Sequence, residues 1–326
     1  MAGRSDEVQK MLGFGAALQE KFDFENAAKF YVKAAESCPD DEEILDMAAE
    51  SLLEAGEPEK ALEMLQKSIA VAPEGNFEKY SNLGQLLEGF DALHSYQKAT
   101  QLLQRDMEKT REEGKQEEYA ILSDRLASML CTITDLYLTD LCYEENAESE
   151  CERLLAAAMQ AASELNMEPV VTLASVRISQ QRPEEAEELL VKAKGILDKI
   201  ISDDANALPS YSVRTTLLRL LIEMGRGEEA VDVSSNLLDE NDQVFESWYL
   251  RAFAFKVLDD PKGVIETLSQ AHEVLGKAEP DTPDMVGAME ELMKEAIERA
   301  KAKGIDPNEK EEAGEEEEEG EKEDDE

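Results

Sequence analysis

The sequence predicts an all-α solenoid of antiparallel helix pairs, about seven pairs followed by a capping helix and an acidic tail. Three observations carry this. Met11, Phe14, Gly15, Leu18, Ala27, Tyr31, Ala34 and Pro39 recur 34 residues later as Leu45, Ala48, Ala49, Leu52, Ala61, Leu65, Ser68 and Pro73, each apolar or small. A fixed period in this range is the signature of stacked supersecondary units. Aromatic residues make up only 6% of the 326 residues, and Ala, Leu, Glu and Lys dominate, as suits helices packed through small contacts. Prolines fall where one helix must stop or the next begin, because proline has no N–H to continue the ladder.

The physics of each marked position is simple. Small residues at Gly15 and Ala49, and at Ala27 and Ala61, let two helices approach closely, while larger residues fill the grooves between pairs. The pattern resembles the tetratricopeptide (TPR) repeat. Residues 1–6 are expected to be flexible and 7–303 to form one superhelix. Within it, 7–73 holds two regular repeats, with turns at Lys21–Glu25 and Gly56-Glu57-Pro58.

The stretch 74–168 is irregular. A third repeat opens with Leu83-Gly84 and Leu87 and closes with Ala92, Tyr96 and Ala99, but its turn, Glu88–Asp91, is short. Its second helix runs on toward Arg111 until Gly114 breaks it. A longer helix is expected from Gln116 to Tyr143, with a partner from Ala147 to Leu165. Regularity returns over 169–275, where Pro183, Gly225 with Gly227, and Pro261 mark the turns and Trp248 takes the bulky position that opens a TPR motif. A capping helix is expected over 283–303, since solenoid ends need a polar cover. Residues 304–326 carry fourteen acidic and two basic side chains and almost nothing apolar, so the tail is expected to be disordered.

Composition bounds function. Of the net charge of −43, −12 belongs to that tail and −31 to the rest. A surface this acidic repels nucleic acid, which is bound by neutralising phosphates, and favours a basic protein partner. No apolar run is long enough to span a membrane, and MAGRSDEVQKM lacks the apolar core of a secretory signal. Cys38, Cys131, Cys142 and Cys151 form no CxxC pair and are read as buried, reduced thiols on helices. No metal or cofactor is expected. His94 and His272 are far apart, and no phosphate loop, HExxH or GxSxG motif occurs, so no enzyme is expected.

A binding groove remains. In such a solenoid the first helix of each pair lines the inner surface. Between the packing positions of the second repeat stand Glu43, Asp46, Glu50 and Glu54, spaced by three, four and four and thus on one side of a helix. They are expected to face solvent, either as client contacts or as an ordinary solvated face. Glu78, Gln85 and Glu88 take the corresponding places in the third repeat, and Asp135 and Asp140 in the fourth. Near the C-terminus Glu246, Tyr249, Phe253 and Lys256 mix acid with an aromatic pair, which would suit a basic extended segment or else pack against the capping helix. A clamp for chaperone C-terminal carboxylates would need Lys and Asn on these positions; Leu12, Ala16, Asp46 and Glu50 stand there instead.

The segment from Leu208 to Phe255, LPSYSVRTTLLRLLIEMGRGEEAVDVSSNLLDENDQVFESWYLRAFAF, resembles the fungal-type TPR family of dedicated assembly chaperones of large-subunit ribosomal protein four. The carriers are the LPSY opening, LLIEMG, DEND and SWYL, and the regular–irregular–regular layout with its acidic tail agrees. The resemblance implies a client, that ribosomal protein, held by a basic internal loop in the inner groove. It implies a chain shared between cytoplasm and nucleus and reaching an import receptor through the client; a monomer is expected. A generic TPR scaffold or co-chaperone adaptor for another basic partner would need only the solenoid.

Overall fold

The computed structural model describes residues 4–203, 208–275 and 283–307; among these there are fifteen α-helices and no strand. The chain divides into two units, Met1–Pro209 and Ser210–Glu326. The first holds five helix pairs: α1 (Asp6–Gln19) with α2 (Phe24–Ser37), α3 (Glu42–Glu54) with α4 (Pro58–Val71), α5 (Glu78–Leu86) with α6 (Gly89–Glu112), α7 (Gln116–Leu138) with α8 (Ala147–Ala161), and α9 (Glu168–Ser179) with α10 (Pro183–Asp203). The second holds α11 (Tyr211–Glu223) with α12 (Gly227–Glu240), α13 (Phe245–Val257) with α14 (Pro261–Leu275), and α15 (Pro283–Ala302). The acidic tail, from residue 308 onward, lies outside the described residues.

Helix starts follow capping chemistry. Ser5, Asp23 and Asp41 accept the backbone N–H groups of Val8, Asn26 and Ile44 at the starts of α1, α2 and α3, and Ser210 does the same for α11. Pro58, Pro183 and Pro261 occupy first turns, where a missing N–H costs nothing. Arg4 lies within the segment expected to be flexible, whose first three residues fall outside the described ones. Arg4 pairs with Asp41 at 2.8 Å and with Glu43 at 2.5 Å, which ties the residue before α1 to the start of α3.

In five of the seven pairs one turn recurs. Two or three residues beyond the first helix the chain adopts the left-handed conformation, at Phe22 (φ 60°), Gly56 (73°), Gln181 (58°), Gly225 (75°) and Asp259 (55°). Such a residue reverses the chain and satisfies the last carbonyls of the helix it ends. The long α6 stops the same way, at Gly114.

The cores are built by small residues meeting large ones. In the first unit one apolar cluster runs from α1 to α4 and another spans α5 to α9, and α10 buries Ala186, Leu190, Ala193 and Leu197 besides. A third joins α13 and α14 to Met289, Leu292 and Ala296 of α15. Two close approaches, at Gly15 and Gly84, seat a tyrosine ring directly against backbone. A Cβ at Gly15 would lie 2.8 Å from the Tyr31 ring, and one at Gly84 would lie 2.7 Å from the Tyr96 ring. Both rings are buried, so neither has room to retreat.

Two expectations for the irregular stretch fail. α7 ends at Leu138, five residues short of Tyr143, and the chain turns out of the helix at Thr139. Cys142 and Tyr143 therefore sit exposed in the turn before α8. Of the four cysteines only Cys131 and Cys151 are buried, while Cys38 is half-buried at the end of α2.

Gly84→Ala is expected to lose about 1–3 kcal/mol of stability by forcing the Tyr96 ring off its rotamer. Urea unfolding followed by circular dichroism measures it; an unchanged midpoint would mean that the α5–α6 approach is looser than 2.7 Å implies.

Candidate binding face

The first helices α3, α5 and α7 enclose a recess of about 580 Å³ in the first unit. Burial of Leu45, Ala48, Ala49 and Leu52 on one side of α3 leaves Asp46 and Glu50 to the opposite side, where they reach this recess. Glu78 enters from the start of α5, and Asp124, Arg125 and Ser128 from α7; Phe77, Leu65 and Met129 supply an apolar floor. Of the residues singled out in the sequence, the structure thus brings Asp46, Glu50 and Glu78 together.

Their environments differ. Asp46 is half-buried and accepts a 2.5 Å hydrogen bond from the Ser68 hydroxyl. Desolvation raises its pKa, opposed by that hydrogen bond and by the Lys79 charge. It is not the solvent-facing side chain expected from spacing, because α4 leans over it. Glu50 is exposed at the mouth. Desolvation raises its pKa first, and the charges of Glu54, Glu78 and Asp46 add to the rise. Among the described residues no Lys or Arg pairs with Glu50.

Other expected residues lie elsewhere. Glu43 is turned to Arg4. Glu54 accepts from Gln19 Nε2 at 3.2 Å, on the α1 side. Gln85 is exposed on α5, outside the recess lining. Glu88 is exposed in the α5–α6 junction, likewise outside it. Asp140 lies beyond the end of α7, and its carboxylate accepts the Gly89 N–H at 2.9 Å, serving the start of α6 rather than a groove. The sequence misplaces it because α7 is shorter than its apolar periodicity suggests.

Asp135 remains on α7, opposite the start of α9. Its side chain is reached by solvent yet surrounded by protein on most sides. Desolvation first, and then the Glu168 charge, push its pKa up to about 6. Glu168 is itself raised by desolvation, in part offset by a hydrogen bond from Ser128. Among the described residues neither carboxylate has a basic partner.

In the second unit Glu246 pairs with Arg219. Tyr249 and Phe253 are half-buried, with ring centroids 5.0 Å apart in an edge-to-face arrangement. Both pack against the cluster that includes α15 residues, and Lys256 lies 5.5 Å over the Phe253 ring while pairing with Glu295 of α15.

Sequence reasoning missed two lysine and arginine roles. Lys79 is buried and bridges Glu42 and the Ala72 carbonyl, which fixes the α4–α5 loop. Arg125 reaches back 47 residues to Glu78. Neither partner lies at helical spacing, so nothing local could reveal them.

Seven helix pairs, five of them joined by the same left-handed turn, with small residues buried where paired helices meet, define a tetratricopeptide-type solenoid protein. No protein-family model matches the chain. A Schizosaccharomyces pombe protein named probable assembly chaperone of rpl4 is 34% identical over 224 residues, which cover 67% of this chain and 65% of that protein. An Emericella nidulans protein of the same name is 35% identical over 116 residues, 36% of this chain and 30% of the relative. The chain thus spans somewhat under two thirds of the first relative's length. The solved structure of the Assembly Chaperone of RpL4 (Acl4), residues 1–338, superposes with a TM-score of 0.66 at 30% identity, covering 77% of this chain and 96% of that one. The chain belongs to this family of rpl4 assembly chaperones.

The Asp135 carboxyl gives a pH signature. Its folded-state pKa of about 6 stands above the ordinary 3.8, so folding favours the protonated form. That contribution is fully present below pH 4 and is lost as the pH rises through 6. Asp135→Asn is therefore expected to match the wild type near pH 4 and to exceed it at pH 7.5 by on the order of 1 kcal/mol, a figure discounted for solvent access. Chemical denaturation at the two pH values checks it; equal gains at both would place the effect in packing instead.

Proposed function

We propose that this protein is a dedicated, non-catalytic chaperone that binds newly made ribosomal protein rpl4 as a monomer and keeps it soluble until large-subunit assembly. The face formed by α3, α5, α7 and α9 receives a basic, extended internal segment of the client. The carrying observation is the set of carboxylates there, Glu50, Asp135 and Glu168, that are partly desolvated and have no basic partner among the described residues, in a chain that belongs to the rpl4 chaperone family. An ionised carboxylate held in such surroundings is stabilised by an incoming ammonium or guanidinium group. Under this reading the chain works in cytoplasm and nucleus and meets an import receptor through its client.

The chemistry favours a protein client over RNA, since phosphates would meet like charge on this face. Individual contacts would be weak. Each partly exposed ion pair contributes about 0.2–1 kcal/mol, so affinity would come from several of them along an extended segment.

Two experiments test this. Glu50→Lys combined with Glu54→Lys reverses the exposed charge at the mouth of the recess and its neighbour one turn along α3, whose charge acts on Glu50, without touching the Asp46–Ser68 hydrogen bond. The variant is expected to bind rpl4 at least about tenfold more weakly, with a shallower salt dependence. Calorimetry across a salt series reads both quantities; unchanged affinity and slope would remove the face from the binding site. Deleting residues 304–326 removes −12 in charge and is expected to slow association chiefly at low salt. Stopped-flow rates that are equal at low salt would exclude a steering role.

A further inference from the structure

One arrangement in the recess is already a complete arginine-recognition site, and the chain's own arginine fills it. The Arg125 guanidinium lies over the Phe77 ring, 5.9 Å from its centroid, and pairs with the Glu78 carboxylate. A guanidinium over an aromatic face and held by a carboxylate uses the two features that distinguish arginine from lysine. The receptor half is fixed. Phe77 is buried in the α5–α9 cluster. Asn76 donates to the other Glu78 oxygen at 3.1 Å and accepts the Glu78 N–H at 3.0 Å, which locks the carboxylate in place. The occupant half is loose: the Arg125 side chain is 52% exposed on the rim of α7.

The second unit shows what a structural version looks like. Arg214 lies 5.6 Å over the Tyr211 ring and pairs with Glu240, but its side chain is only 1% exposed and also donates to Asn236 at 2.6 Å. Nothing from outside could replace it. Arg125 keeps the same pair of contacts while half of it faces the recess, beside the unpartnered Glu50.

We propose that Arg125 is a resident stand-in for an arginine of the client, and that Phe77 and Glu78 form an arginine-selective subsite from which the client displaces it. This rests on the reading that the recess receives a basic segment. While the site is empty of client, Arg125 neutralises Glu78 and covers the apolar ring. On entry, the client guanidinium takes over both contacts and Arg125 swings out toward solvent.

The experiment compares the wild type with Arg125→Ala and Arg125→Met, the latter keeping most of the apolar stem. Two synthetic peptides of equal length and charge serve as probes, one rich in arginine and one in which every arginine is lysine. Both variants are expected to bind the arginine peptide about three- to tenfold more tightly than wild type, with little gain for the lysine peptide. In the wild type, the Arg125 Nε–H resonance is expected to shift when the arginine peptide is added. Weaker or unchanged binding by both variants, or equal gains with both peptides, overturns the stand-in role while leaving the recess as a binding face. If neither peptide binds wild type and the Glu50/Glu54 reversal leaves rpl4 binding intact, the underlying reading falls as well.

Discussion

The close approach of the two helices in each pair is the constraint on which the rest depends. At Gly15 and Gly84 the partner ring sits where a side chain would otherwise begin, and Ala27, Ala49 and Ala61 are wholly buried. Dense contact of this kind fixes the rotation of each first helix about its axis, because turning it by one position would drive a larger side chain into the ring. Once α3 is fixed with Leu45, Ala48, Ala49 and Leu52 inward, the side chains on the opposite flank must stay at the surface. The acidic face is therefore a geometric consequence of core packing. Glu50, exposed on that flank, takes no part in the packing, whereas Asp46 is tied to α4 through Ser68.

Surplus negative charge is a cost that the chain offsets locally. Glu43, Glu78 and Glu246 each meet an arginine, Arg4, Arg125 and Arg219. These bridges join first helices of neighbouring pairs or the segment that precedes them. Glu50, Asp135 and Glu168 have no such relief. Their raised pKa values record the expense of holding charge in partly desolvated surroundings near like charge. The face is thus a mixture of satisfied and unsatisfied carboxylates, which spacing along a helix cannot distinguish.

Much of the fold was legible because a solenoid repeats its own instructions. The 34-residue echo from Met11 to Pro73 exposes which positions are small, which are large and where each helix stops. The left-handed turn was only partly legible. It recurs 34 residues apart at Phe22 and Gly56, and again at Gly225 and Asp259, but only the glycines advertise it. The end of α7 was hidden for a different reason: apolar residues continue past Leu138 in helical register although the backbone has already turned. Of the candidate site, periodicity put Asp46 and Glu50 on one flank of α3, whereas the pairing of Glu43 with Arg4 and the Arg125–Glu78 and Asp135–Glu168 relations did not follow from it. Those depend on which faces of distant helices meet, a property of stacking geometry and not of any local window.

The mixed charge of the face bears on how a chaperone of this design would let go. A groove of bare carboxylates would hold a basic segment tightly and surrender it slowly, because every client cation removed would leave an isolated, desolvated charge behind. Resident arginines change that balance. Where Arg125 can return to Glu78, loss of the client exchanges one guanidinium for another and leaves no carboxylate orphaned. Under the stand-in proposal, affinity would be reduced at that position, and so would the barrier to release. Duplex RNA carries phosphates at high linear density and gains from neutralisation by the same basic residues. A client loosened one side chain at a time could pass to such a surface without any trigger beyond the competition itself.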